Sequence, residues 1–200
     1  MNRIKICGLT RMEDIAAANE ACPDYIGFVF APRSRRCVTP ERSAELRARL
    51  RPEIMAVGVF ADAELTEILR CVYAGMIDMI QLHGRESESF VRTLRARTDA
   101  PVIKAVRVDA ADDIWEWNES TADYLLLDNG AGGTGQRFDW TLTKECRKPY
   151  FLAGGVNLEN VETALRAGAF CVDTSSGAET NGRKDREKMI QLTAAVRRRG

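Results

Sequence analysis

Apolar residues in this chain gather in short runs, each ended by glycine, proline or charge and followed by a longer mixed stretch. The first run, RIKIC at residues 3–7, stops at Gly8. Thr10 and Asp14 then open the alanine-rich stretch 15–21, so the pattern predicts strand, turn and helix. The second run, residues 25–30, stops at Ala31-Pro32-Arg33-Ser34-Arg35-Arg36. There Thr39-Pro40-Glu41 supplies a helix cap with proline in the first turn. The alternation continues with strands expected over residues 55–60, 78–82, 101–108, 124–128, 150–153 and 170–173. Helices are expected over 63–74, 86–97, 112–117, 157–167 and 186–198, with another near 140–146.

The strand ends fall near Cys7, Phe30, Phe60, His83, Arg107, Asp128, Gly154 and Ser175, so one βα unit recurs eight times at spacings of roughly 21 to 30 residues. The strands read as near-continuous apolar runs, the pattern of a parallel sheet covered by helices. Repeated right-handed crossovers favour closure, although an open doubly wound sheet shares the local pattern. The expected fold is α/β, a (β/α)8 TIM barrel forming a single domain over residues 1–200 with short loops.

Composition narrows the partners. A chain of 200 residues that is 45% hydrophobic buries one sizeable core. Lysine plus arginine equals aspartate plus glutamate, 29 each, so neither nucleic acid nor a membrane is expected as partner. A small molecule is expected, with monomer and homodimer both open. Six scattered cysteines contain no CxxC pair, and a single histidine offers no metal-ligand spacing, so no metal is expected and the thiols read as free. The N-terminus lacks a signal-peptide core, and nowhere do about 18 apolar residues run together. The expected location is cytoplasmic.

In such a barrel, polar residues at the C-terminal strand ends are the candidates for chemistry. Those ends hold Cys7, Arg36, His83, Arg107, Asp128, the loop 132–135, Gly154-Gly155 and Ser175-Ser176-Gly177. Either glycine-rich turn alone is a tight turn as readily as a ligand site. Placed together after the seventh and eighth strands, they suit a phosphate held by backbone amides. Asp128 ends Leu125-Leu126-Leu127 and reads either as a desolvated acid or as a cap on a neighbouring amide. Cys7 alone reads as an inert small hydrophobe, and the company of Asp128 makes it a candidate base. Of Arg33, Arg35 and Arg36, one at most is expected to reach a ligand as an anion clamp. His83 is expected to orient or pack at the rim.

The ordered set KICGLTRMED, GFVFAPRSRRCV, VGVF, IQLHG, IKAVRV, LLLD with GGTGQRFDW, LAGGVNLENV and VDTSSGAE closely resembles the phosphoribosylanthranilate isomerase family, over nearly the whole chain. That resemblance implies a (β/α)8 barrel and a cofactor-free Amadori rearrangement of N-(5-phosphoribosyl)anthranilate to 1-(2-carboxyphenylamino)-1-deoxyribulose 5-phosphate, the third step from chorismate toward tryptophan. It implies Cys7 as general base, Asp128 as general acid and Arg36 as holder of the anthranilate carboxylate. His83 falls among the substrate-binding residues, and the phosphate site is implied at Gly133, Gly154, Gly155, Ser175, Ser176 and Gly177. The sequence departs from the family pattern at Cys37, Thr174 and Ala178, which alters packing rather than ionisable groups. Cys7 needs a lowered pKa or a minor thiolate fraction. Lys5 is set aside as its cause, because strand alternation would have to place both on one face, and the cause stays open. Two alternatives remain: another phosphosugar aldose-ketose isomerase, such as one acting on an aminoimidazole ribotide, and a non-catalytic phosphosugar-binding scaffold.

Overall fold

A computed structural model describes residues 2–129 and 138–198. Eight parallel strands close in sequence order into a barrel: β1 (Arg3–Cys7), β2 (Tyr25–Val29), β3 (Met55–Phe60), β4 (Met79–Leu82), β5 (Val102–Arg107), β6 (Tyr124–Asp128), β7 (Tyr150–Leu152) and β8 (Cys171–Thr174). Closure comes from β8 pairing with β1, Lys5 opposite Asp173. The outer ring is α1 (Met12–Ala21), α2 (Pro40–Arg47), α3 (Leu65–Tyr73), α4 (Glu88–Arg95), α5 (Ala111–Asn118), α6 (Val161–Arg166) and α7 (Arg186–Arg197). Thr39 caps α2 as expected by accepting the Arg42 amide, with Pro40 next. Among the described residues, no helix is long and apolar enough to cross a membrane.

The strand runs conceal an alternation. Ile4, Ile6, Ile26, Phe28, Ile80, Leu82, Leu125, Leu127 and Val172 face the helices in the main core. Their neighbours point into the barrel, because successive strand side chains take opposite faces. There Tyr25, Val57, Met79, Ile103, Leu126 and Phe151 form an apolar plug. Above it lie Lys5, Gln81 and Asp173, all buried, and then Cys7, Val29 and Val59. The plug makes the interior a floor rather than a pore, so ligand access is from the C-terminal end.

Two expected elements differ, and one element is additional. The sixth crossover holds a short 3-10 helix, Trp140–Glu145, started by Asp139, which accepts the Thr141 amide. α6 begins later than expected because Asn157 and Asn160 turn the preceding chain, each side-chain oxygen accepting a nearby backbone amide. After β8, a 3-10 turn leads into a hairpin of β9 (Glu179–Thr180) and β10 (Arg183–Lys184), which the alternation of apolar runs did not predict. Asn181 and Gly182 both have positive φ, 51° and 75°, as a two-residue hairpin turn requires.

Candidate active site

The C-terminal strand ends surround a cleft of about 560 Å³. Eight of the expected residues line it: Cys7, Arg36, His83, Asp128, Gly154, Gly155, Ser175 and Ser176. Gly177 does not. It backs onto the loop after β7, where a Cβ would lie 2.0 Å from the Val156 carbonyl oxygen. Gly133, with the rest of the 132–135 loop, lies outside the described residues. Arg107 is exposed and pairs with Asp109 away from the cleft. A second depression of similar size, about 540 Å³, lies around Phe30, Phe60 and Arg70, without Cys7 or Asp128.

Cys7 ends β1 with its side chain turned toward β2. Its partner there is Gly27, where a Cβ would stand 2.6 Å from the Cys7 sulfur, so the sulfur occupies the space glycine leaves. Burial pushes the Cys7 thiol above its ordinary value. The Lys5 ammonium opposes that shift by charge and by a hydrogen bond, Lys184 opposes it by charge, and Asp173 reinforces it. The expectation about Lys5 is therefore corrected. Residues two apart on a strand share a face, and Lys5 projects into the barrel beneath Cys7. Lys5 is fully buried, with its ammonium 3.1 Å from both carboxylate oxygens of Asp173. The net direction for Cys7 is nonetheless upward, so it is chiefly a thiol at neutral pH.

Asp128 ends β6, three strands from β1 around the barrel by way of β7 and β8. Burial raises its pKa, against the Asn129 amide donating to Oδ1 at 2.7 Å and the charge of Lys5. Desolvation and the contact to a neighbouring amide thus occur together on this carboxyl. His83 Nε2 stands 3.8 Å from Asp128 Oδ2, beyond hydrogen-bond length. Desolvation, then Lys5, holds the His83 imidazole below its ordinary value, so it is neutral at pH 7. Gln81 lies 2.8 Å from Nδ1. With the amide nitrogen as donor, the proton of His83 sits on Nε2, facing Asp128; this tautomer is assigned from the contact. The loop bearing His83 is pinned by Glu86, whose carboxylate accepts the Gly84 and Asp62 amides and the buried Lys104 ammonium.

The turns expected to hold an anion follow β7 and β8. Gly154 and Gly155 have φ of 79° and 77°, consecutive left-handed positions that favour glycine. Asn160 holds the loop by donating to the Gly155 carbonyl. Across from it, Ser175 Oγ donates to the Cys7 carbonyl at 2.9 Å, tying the loop after β8 to the end of β1. All three arginines of the loop after β2 border the cleft. Arg36 is the least exposed of the ion-paired ones, at 12% of its side chain against 59% for Arg35. Its stem crosses Gly8, whose φ is 85° and where a Cβ would lie 2.3 Å from Arg36 Cδ. Sequence reasoning set Lys5 aside and missed Asp173, Gln81, Glu179 and Lys184. The Asn181-Gly182 pair was the available signal for the hairpin carrying Glu179 and Lys184.

Comparison with known proteins gives consistent matches. Residues 4–195 match the family model for N-(5'phosphoribosyl)anthranilate (PRA) isomerase. An N-(5'-phosphoribosyl)anthranilate isomerase of Endomicrobium trichonymphae is 43% identical over 202 residues, 98% of this chain and 99% of the relative. The crystal structure of phosphoribosyl anthranilate isomerase from Thermus thermophilus is similar at TM-score 0.89 and 33% identity, covering 99% of this chain and 100% of that one. A further solved isomerase, in complex with reduced 1-(o-carboxyphenylamino)-1-deoxyribulose 5-phosphate, has TM-score 0.86 and 33% identity over 98% of this chain and 99% of that one.

Proposed function

The chain belongs to the N-(5'-phosphoribosyl)anthranilate isomerase family, and from that premise we propose how its strand-end residues convert N-(5-phosphoribosyl)anthranilate to 1-(2-carboxyphenylamino)-1-deoxyribulose 5-phosphate in tryptophan biosynthesis. Asp128 gives its proton to the ring oxygen as the C1–O bond breaks, and the anilino nitrogen supplies the electrons that form a protonated Schiff base. The Cys7 thiolate removes the proton from C2, and the C–H electrons neutralise the nitrogen to give an enaminol. Tautomerisation then yields the ketose. One proton is given and one taken, so substrate and product have the same composition.

The observation that carries this reading is the placement of a buried, pKa-raised carboxyl and a buried thiol on different walls of one cleft. A raised pKa keeps a larger fraction of Asp128 protonated as the acid. Cys7 acts from a minor thiolate fraction, maintained by Lys5 against desolvation. Phosphate sits on the Gly154-Gly155 and Ser175-Ser176 backbone, with Gly133 and Gly177 assigned to the same end from the family motif. Arg36 takes the ring carboxylate, and neutral His83 lies between the acid and the substrate ring. The protein acts as a single domain over residues 1–200, in the cytoplasm.

The test is turnover of freshly prepared phosphoribosylanthranilate, followed by loss of its anthranilate-type fluorescence, beside an aminoimidazole ribotide as control substrate. Turnover of the first is expected. Well-folded protein that turns over only the second would reassign the substrate.

A further inference from the structure

Glu179 sits in the short hairpin after β8, in a segment that the acid-base chemistry leaves unused. Its side chain is only 5% exposed, yet three cations converge on it. Oε1 accepts from Arg36 Nε and from Lys184 Nζ, both at 2.6 Å. Oε2 accepts from Arg36 Nη2 and from Arg35 Nη2, both at 2.9 Å. Burial alone would raise its pKa, but the hydrogen bonds and charges of Arg36 and Lys184 hold it at about 2. It is a carboxylate throughout the working range.

The geometry of the Arg36 contact is specific. Glu179 engages the side edge of the guanidinium, Nε with Nη2, in the bidentate arrangement that fixes the plane of the group. The remaining end edge, Nη1 with the second Nη2 proton, has no hydrogen bond among the described residues. Gly8 fixes the stem from below, since its missing Cβ leaves the path that Arg36 Cδ follows. Stem and head group are thus both constrained on a residue that borders the cleft. The same carboxylate reaches further: Lys184 Nζ also donates to the Ser175 carbonyl at 2.9 Å, and Ser175 Oγ donates to the Cys7 carbonyl. One buried group therefore links the loops after β2 and β8 and the end of β1.

We propose that Glu179 is a positioning residue for substrate specificity: it holds the Arg36 fork so that its free end edge meets the ring carboxylate of the substrate. This rests on the reading of Arg36 as the carboxylate holder. Three cations around one carboxylate leave the local positive excess that an incoming aryl carboxylate requires, while the side-edge contact costs Arg36 no freedom on binding. A purely structural clamp on the hairpin would have no reason to distinguish substrates by that carboxylate.

The experiment compares Glu179→Gln, Glu179→Asp and Arg36→Ala on two substrates, phosphoribosylanthranilate and its analogue made from aniline, which lacks the ring carboxylate. Glu179→Gln is expected to raise KM for the first by about tenfold or more while kcat changes by less than about threefold, and to leave KM for the aniline analogue within about twofold. Glu179→Asp, which keeps the charge, is expected to fall between the wild type and Glu179→Gln, and it serves as the test if Glu179→Gln does not fold. Equal KM changes for both substrates, or none for either, would overturn the role of Glu179. If Arg36→Ala itself fails to discriminate between the two substrates, the carboxylate-holder reading is wrong and the proposal falls with it.

Discussion

Gly27 offers a demanding test because its expected effect follows from one distance. In Gly27→Ala the new Cβ would stand 2.6 Å from Cys7 Sγ and 3.1 Å from Cys7 Cα, where ordinary contacts begin at 3.4 Å. The sulfur therefore has to retreat by about 1 Å or rotate away, since the paired strands cannot separate without loss of their ladder. Overpacking of this kind costs about 1–3 kcal/mol, or a fall in Tm of roughly 2–12 °C for a chain of this size. A misplacement of about 1 Å at a reacting group costs on the order of 100-fold in rate, so turnover should drop far more than stability does. Gly58→Ala is the control. One strand over, its Cβ would meet Ile77 Cδ1 at 2.6 Å and Phe60 at 2.8 Å, on the helix-facing side of β3 and away from Cys7. Fluorescence-based turnover and thermal unfolding should show comparable Tm losses in both variants and a large kcat loss in Gly27→Ala alone. Folded Gly27→Ala with near-normal kcat, or equal activity losses in the two variants, would refute the placement of Cys7 as the reacting group.

Two further outcomes follow from the buried charges. Lys5→Met leaves Asp173 without its buried partner and should destabilise by about 3–5 kcal/mol, with most of the loss recovered by adding Asp173→Asn. Alkylation of Cys7 should also slow in Lys5→Met, and unchanged alkylation would remove Lys5 as the group favouring the thiolate. Asp128→Asn should stabilise the fold while impairing catalysis. Because the folded pKa of Asp128 is raised, its favourable contribution is complete below the ordinary value of 3.8 and is lost as pH rises through the folded value. The Tm gain should therefore be present at pH 8 and absent near pH 3, each pKa unit of displacement being worth about 1.4 kcal/mol. A gain independent of pH would point to packing instead.

The barrel was legible because each strand ends where an apolar run meets glycine or a polar residue. That punctuation also marked Cys7 and Asp128. What was not legible depends on closure. Lys5 and Asp173 lie 168 positions apart and meet only because β8 pairs with β1, so a lysine in an apolar strand gave no sign of its partner. The same pairing shows why setting Lys5 aside was mistaken: positions 5 and 7 share the inward face, whose polar character was hidden by Ile4 and Ile6 on the other. Glu179 was missed because it sits in a strand of two residues, too short for any periodicity, with only Asn181-Gly182 to mark the turn. Gly8 and Gly27 read as loop end and strand interior, and their use as space for Arg36 and Cys7 appears only when neighbouring chain is in place.

The central claim is that Cys7 and Asp128 carry the proton transfers. Its most direct test is kcat of Cys7→Ala and Asp128→Asn on phosphoribosylanthranilate, with the affinity of each for the reduced product analogue measured in parallel. Turnover is expected to fall by at least about 100-fold in each variant while affinity changes by no more than a few-fold. Near-normal turnover in either variant, with the protein folded, would contradict the assignment.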